Sequence, residues 1–246
     1  MSPENPIGWG EDYISQIFIG QDSSLRTTFN LYRDDYARFN KIEDVFKKLT
    51  DIIEIDISND ISSLLLSHSY TAFIASIRLA SVGQRAEAYI VCRGSLEAAI
   101  YSHELYINQC SNEIWMNRHK GVSEMKNFKK LFKFTELLSR LPNAALRNTT
   151  AELYQHSIDM GAHPNPMMLH KSVTLLEENG HQTLGINFPN VDKVHMPATL
   201  KFCSEIGTTD LRVLISAYSR EYDLSDLQTE LTQLSTLVAK PPPSQV

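Results

Sequence analysis

The sequence predicts a mainly α-helical fold, a multi-helix bundle carrying a small β-hairpin insertion. Three observations lead there. Apolar residues recur three or four apart along most of the chain, the period of a helix with one buried face. Residues 84–108 are apolar around most of the helical circumference, which suits a central position in a bundle. One segment differs: Val173 to Leu176 and Thr183 to Phe188 flank Asn179-Gly180, a strong hairpin signal.

Taken in order, residues 1–22 hold Pro3, Pro6 and three glycines and read as an irregular lead-in. From Ser23 the pattern turns helical through Leu25, Phe29, Tyr32, Tyr36, Phe39, Phe46, Leu49 and Ile53, fading near Asp56. Ser58-Asn59-Asp60 offers cap side chains for a second helix that Gly83 ends. The third helix runs from about Gln84 to Asn108. A fourth stretch restarts at Ser111, breaks at Gly121 and resumes through Phe128, Leu131, Phe132 and Leu137.

Pro142 suits the first turn of a fifth helix, which Gly161 and Pro164 stop after Met160. The hairpin insertion follows, near 172–188. Pro197 then opens a helix through Leu211 and Tyr218, kinked near Gly207, and a last amphipathic helix carries Leu224, Leu227, Leu231, Leu234 and Leu237. No repeat and no composition break divides the chain. The expectation is a single helical domain over 23–239 and a flexible tail at 240–246.

The 246 residues are 42% hydrophobic and 21% charged, a globular composition, with net charge −6. The three cysteines are far apart and form no CxxC pair, which favours a reducing compartment. The first residues lack the basic-then-apolar pattern of a signal peptide, and no apolar run is long enough for a membrane span. The reading is a soluble, cytoplasmic protein without a membrane span.

Three constellations could carry chemistry. Arg93, Glu97, Tyr101 and Glu104 are spaced four, four and three, so they share one face of the third helix among apolar neighbours. Charge in such a setting must be paired. It is either a structural ion pair fixing helix register or a site where Arg93 holds an anion and a glutamate serves as base or metal ligand. Glu152, His156, Asp159 and His163 fall in one sector of the fifth helix and resemble the inward ligands of di-metal bundles, although the order here is His-x-x-Asp. An exposed polar face explains the same spacing. A metal-dependent bundle using Glu97, Glu104, His156 and Asp159 ranks last, and neither cofactor nor metal is assigned.

The third constellation is basic. From Arg118 to Arg147 the chain holds Lys120, Lys126, Lys129, Lys130, Lys133 and Arg140 against Glu124 and Glu136, with Phe128, Leu131 and Phe132 as an apolar face behind. It suits phosphate backbone, an anionic membrane surface or an acidic partner, or it is an ordinary solvated face. Several enzyme classes are excluded. The chain has no phosphate loop, dinucleotide-binding glycine pattern, GxSxG elbow, HExxH or zinc-finger spacing.

The run Arg78 to Glu104, RLASVGQRAEAYIVCRGSLEAAIYSHE, resembles the central helices of a family of uncharacterised bacterial helical proteins. There a glycine-containing turn leads into a helix with an Arg-x-x-x-Glu core, here Arg93 and Glu97. The segment from Tyr154 to His163-Pro164 also resembles that family. Such proteins are similar to HEPN-type helical domains, many of which are RNA-cutting toxins or defence proteins. The resemblance spans about a third of the chain. It implies a helical fold, with Arg147 and His156 nearest to a catalytic pair and Lys126, Lys129, Lys130 and Lys133 contacting phosphate. HEPN ribonucleases separate their Arg and His by four to six residues, whereas eight lie between Arg147 and His156. The leading expectation is therefore a helical interaction module, non-catalytic and self-associating. The alternative is an HEPN-like ribonuclease or RNA-binding protein, so whether the protein is an enzyme stays open.

Overall fold

The computed structural model describes residues 6–53, 61–162, 173–178, 181–186 and 195–238, and it is mainly helical. Helix α1 spans Tyr13–Leu31. Its start is set by Asp12, whose carboxylate accepts from the Ser15 backbone N–H at 2.9 Å and from the Ser15 hydroxyl at 2.6 Å. This corrects the irregular lead-in over 1–22: glycines at 8 and 10 precede the cap, and helix follows at once. Tyr32 leaves helical geometry (φ −120°, ψ 45°), so the expected single helix from Ser23 is two, α1 and α2 (Arg33–Ile52).

Helices α3 (Ile61–Ser81) and α4 (Arg85–Ile107) form a tight antiparallel hairpin. Gly83 makes the turn at φ +82°, a left-handed value that a side chain would oppose. The Gln84 N–H closes the helix by donating to the Leu79 carbonyl at 2.9 Å. Three short helices follow: α5 (Gln109–Asn117), α6 (Val122–Leu131) and α7 (Phe134–Ser139). Helix α8 (Ala144–Ser157) is capped by the Asn143 side chain, so Pro142 lies just before the cap and not in the first turn. It ends in a π-helical turn, Ile158–Ala162. Strands β1 (Val173–Glu178) and β2 (His181–Ile186) pair antiparallel, with Val173 opposite Ile186 and Glu178 opposite His181. Helices α9 (His195–Tyr218) and α10 (Ser225–Val238) complete the described chain. Helix α9 continues through Gly207 without a break.

Helices α4 and α9 sit at the centre. Helix α4 packs on α3, α9 and α8, and α9 also packs on α2 and α10. The core joins Phe39, Ile42, Phe46 and Leu49 of α2, Phe73 of α3, Leu96 and Ile100 of α4 and Leu211, Leu214 and Tyr218 of α9. Burying each such side chain contributes roughly 1.5–3 kcal/mol. Small residues set the helix spacing. A Cβ at Gly207 would overlap the Phe73 ring, and one at Gly161 would overlap the Ala86 carbonyl. Among the described residues no helix is long and apolar enough to cross a membrane.

Candidate functional site

The polar stripe on α4 divides into two environments. At its first end, Arg93 Nε donates to Glu97 Oε1 at 2.9 Å, and both side chains are partly open to solvent. The Tyr154 hydroxyl of α8 donates to the same Glu97 oxygen at 3.1 Å. The Arg93 guanidinium lies 5.0 Å from the centre of the Tyr154 ring, whose other stacking partner is Phe134 at 3.5 Å. Helix α8 and its π turn come this close to α4 because Gly161 carries no side chain. The segment from Tyr154 therefore does meet the Arg93–Glu97 pair. Burial, and then the Glu97 charge, push the Tyr101 hydroxyl up to about 12. Tyr101 is packed edge-on against Trp115 and Phe132.

The second environment is closed. Glu104 is 1% exposed. It accepts from the Ser111 hydroxyl at 2.6 Å and the Asn108 amide at 3.1 Å, and it pairs with Arg140. Its Oε2 has no hydrogen-bond partner among the described residues. This network ties α4 to α5 and to the end of α7. Glu97 thus faces a half-open surface and Glu104 a structural core, and one stripe serves two purposes.

The other expected residues are dispersed. Arg147 donates to the Leu141 carbonyl at 2.7 Å. His156 lies near Tyr89 and Phe202, ring centroids 5.6 and 5.1 Å away. Nine positions along one α-helix amount to two and a half turns, so Arg147 and His156 project from opposite sides, roughly 13 Å apart along the axis. The structure does not bring this pair together within one chain. Asp159 accepts from Gln155 at 2.9 Å, and Glu152 is exposed. Among the described residues no three His, Cys, Asp or Glu side chains are grouped to hold a metal ion. His163 lies outside the described residues.

Lys126, Lys129, Lys130 and Lys133 are all exposed. The first three project from one side of α6. The opposite side presents Phe128, which stacks on Phe132 at 4.9 Å and meets Trp115 edge-on at 5.5 Å. Arg118 lies over Trp115 at 4.4 Å.

Two features escaped the sequence reading. Asp210 of α9 is fully buried and accepts from the Ser95 hydroxyl at 2.6 Å, and its Oδ1 has no hydrogen-bond partner among the described residues. Burial, opposed by hydrogen bonds from Ser95 and Ser69, pushes its carboxyl up to about 8. Cys92 and Cys203 lie beside this cluster, their sulfurs 3.8 Å apart, and burial pushes the Cys92 thiol up. The second is a cleft of about 360 Å³ between α8, α9 and α10, lined by Leu146, Thr149, Arg212, Ser216, Gln228 and Thr232 among others. Asp210 sits in a Gly-Thr-Thr-Asp run that reads as a solvent face unless the helix is known to be central.

Compared with protein-family models, curated proteins and solved structures, the chain matches none.

Proposed function

We propose that this protein is a helical interaction module that self-associates through the first half of α1. The observation that carries this reading is a set of exposed apolar side chains on one side of the first half of α1. Ile14, Ile17, Phe18 and Leu25 fall within about 100° of arc on α1. Near the C-terminal end of this face, Thr28 is buried and its hydroxyl donates to the Ser81 carbonyl of α3 at 2.8 Å. Towards the N-terminus, Ile14 is 56% and Phe18 47% exposed, with Tyr13 (76%) flanking them, while the exposed Ile19 (44%) projects from another side of the helix. Trp9 extends the surface by stacking on Phe18 at 6.3 Å.

A contiguous apolar surface of this kind marks an interaction site on folded proteins. A second copy is a suitable occupant, because Tyr13 to Gln21 contains no charged side chain. Two copies of this surface meet there without burying an ion. Sedimentation at tens of micromolar tests this. The wild-type chain should sediment as a dimer or larger species, and Ile14→Glu with Phe18→Glu should reduce it to one chain with unchanged helicity. A wild-type mass of one chain at that concentration contradicts the proposal.

A second reading, an HEPN-like RNA-cleaving protein, draws support from the mainly helical fold and the exposed lysines of α6. In it, Arg147 and His156 would have to come from two different copies of the chain. Loss of cleavage in His156→Ala, together with its recovery on mixing with Arg147→Ala, is the result that this reading requires.

A further inference from the structure

The segment of α5, α6 and α7 forms a small arm built on an aromatic cluster. Trp115, Phe128 and Phe132 pack on each other, and Trp115 and Phe132 also pack on Tyr101 of α4. This fixes the rotation of α6. With Phe128 turned inward, Lys126, Lys129 and Lys130 occupy about 100° of arc on the outer side. Lys133, at the start of α7 two residues beyond α6, is exposed as well. None of the four pairs with a carboxylate among the described residues. The acidic residues of the arm nearest in sequence, Glu124 and Glu136, are outnumbered, while the chain as a whole is at −6. The outer face of α6 is thus a concentrated positive field on an otherwise acidic molecule.

We infer that this face binds the phosphate backbone of a nucleic-acid strand without reading its bases. Lysine is a compact point charge on a flexible stem, suited to a repeating anion and poorly suited to directional contacts. Interfaces between folded proteins are depleted in lysine and enriched in aromatic residues, and here the aromatics are turned away. A helix lying on a bilayer needs its apolar side free to enter the lipid. In α6 that side is spent on Trp115, and Val122 is the large apolar side chain left exposed at its start. Beside the lysines the described arm leaves Val122 and, on α5, Met116 as exposed large apolar side chains, short of the continuous apolar face that lipid insertion needs.

The test is fluorescence anisotropy of a labelled 30-nucleotide oligouridylate, with unlabelled vesicles of mixed anionic and neutral lipid as a second arm. If the four lysines each neutralise one phosphate, the logarithmic salt slope is about −2.8, so raising salt from 50 to 200 mM weakens binding roughly 50-fold. The fourfold Lys→Gln variant at 126, 129, 130 and 133 should lose binding at 50 mM salt. It should keep the wild-type circular dichroism, since all four side chains are exposed. Lys41→Gln, an exposed lysine on α2, should bind as wild type. Three results would overturn the inference: no oligonucleotide binding by the wild type at 50 mM salt, binding that ignores salt or the fourfold variant, or binding to vesicles alone.

Discussion

At the scale of single residues, Asp210 is the most consequential group that the fold holds. A carboxyl with an ordinary value of 3.8 is pushed up to about 8 by burial. Between those values the unfolded chain has released a proton that the folded chain retains. Each pH unit upward therefore favours unfolding by about 1.4 kcal/mol. The contribution is fully present below about pH 4 and lost as pH rises through about 8. His103 acts in the opposite direction: burial lowers it from 6.5 to about 4, so it weakens the fold only as pH falls below 6.5. Of these two groups, Asp210 alone acts in the window from 6.5 to 8. Denaturant midpoints should fall across that window in the wild type, and Asp210→Asn should flatten the fall, its amide filling the same space. An unchanged slope in the variant would show that Asp210 is not the group responsible.

The Glu104–Arg140 pair gives a second residue-scale prediction. Removing Arg140 leaves a carboxylate that is 1% exposed without its cation. Arg140→Met should cost about 3 kcal/mol, and adding Glu104→Gln should recover part of that loss. A double-mutant cycle by chemical denaturation measures the coupling. Additive effects would mean that the pair contributes nothing specific.

At the scale of elements, close approach of helices is the controlling feature. Gly207 costs helix propensity yet admits the Phe73 ring of α3 against α9. Gly207→Ala should therefore destabilise the protein by about 1–3 kcal/mol, opposite to the gain an exposed helical glycine would give. Thermal unfolding decides the sign. The same element shows why sequence reading stopped short. Gly207 to Asp210 read as a weak point in a helix because small and polar residues lower the apolar periodicity. In fact all four are buried, and Gly207 lies against the Phe73 ring. The α3–α4 turn at Gly83 and the extent of α4 were legible, since a breaker and a long apolar run point the same way. The pairing of Arg93 with Glu97 was legible from spacing alone. Tyr154 joining that pair, and Arg140 joining Glu104, were not, because contacts between helices leave no periodic trace. The start of α1 was obscured by Gly8, Gly10 and Gly20, although Asp12 followed by Ser15 carries the capping chemistry.

At the scale of the whole molecule, the fold separates its surfaces. The centre of α4 and α9 is closed and holds the buried carboxyl. The α5–α7 arm projects positive charge, and α1, tied to α3 by Thr28 and Ser81, carries exposed apolar side chains in its first half. Among the described residues Ile14 stays 56% and Phe18 47% exposed, with Trp9 stacked on Phe18. A second copy covers them, and the energy available is that of burying two large side chains per chain, each worth about 1.5–3 kcal/mol. The most direct test mixes isotope-labelled and unlabelled protein and records filtered NOEs from the Ile14 methyl groups. The account predicts intermolecular NOEs from Ile14 to aromatic protons of Phe18 or Trp9 of the other copy. NOEs confined to one chain, at a concentration where the wild type is well above tens of micromolar, would contradict it.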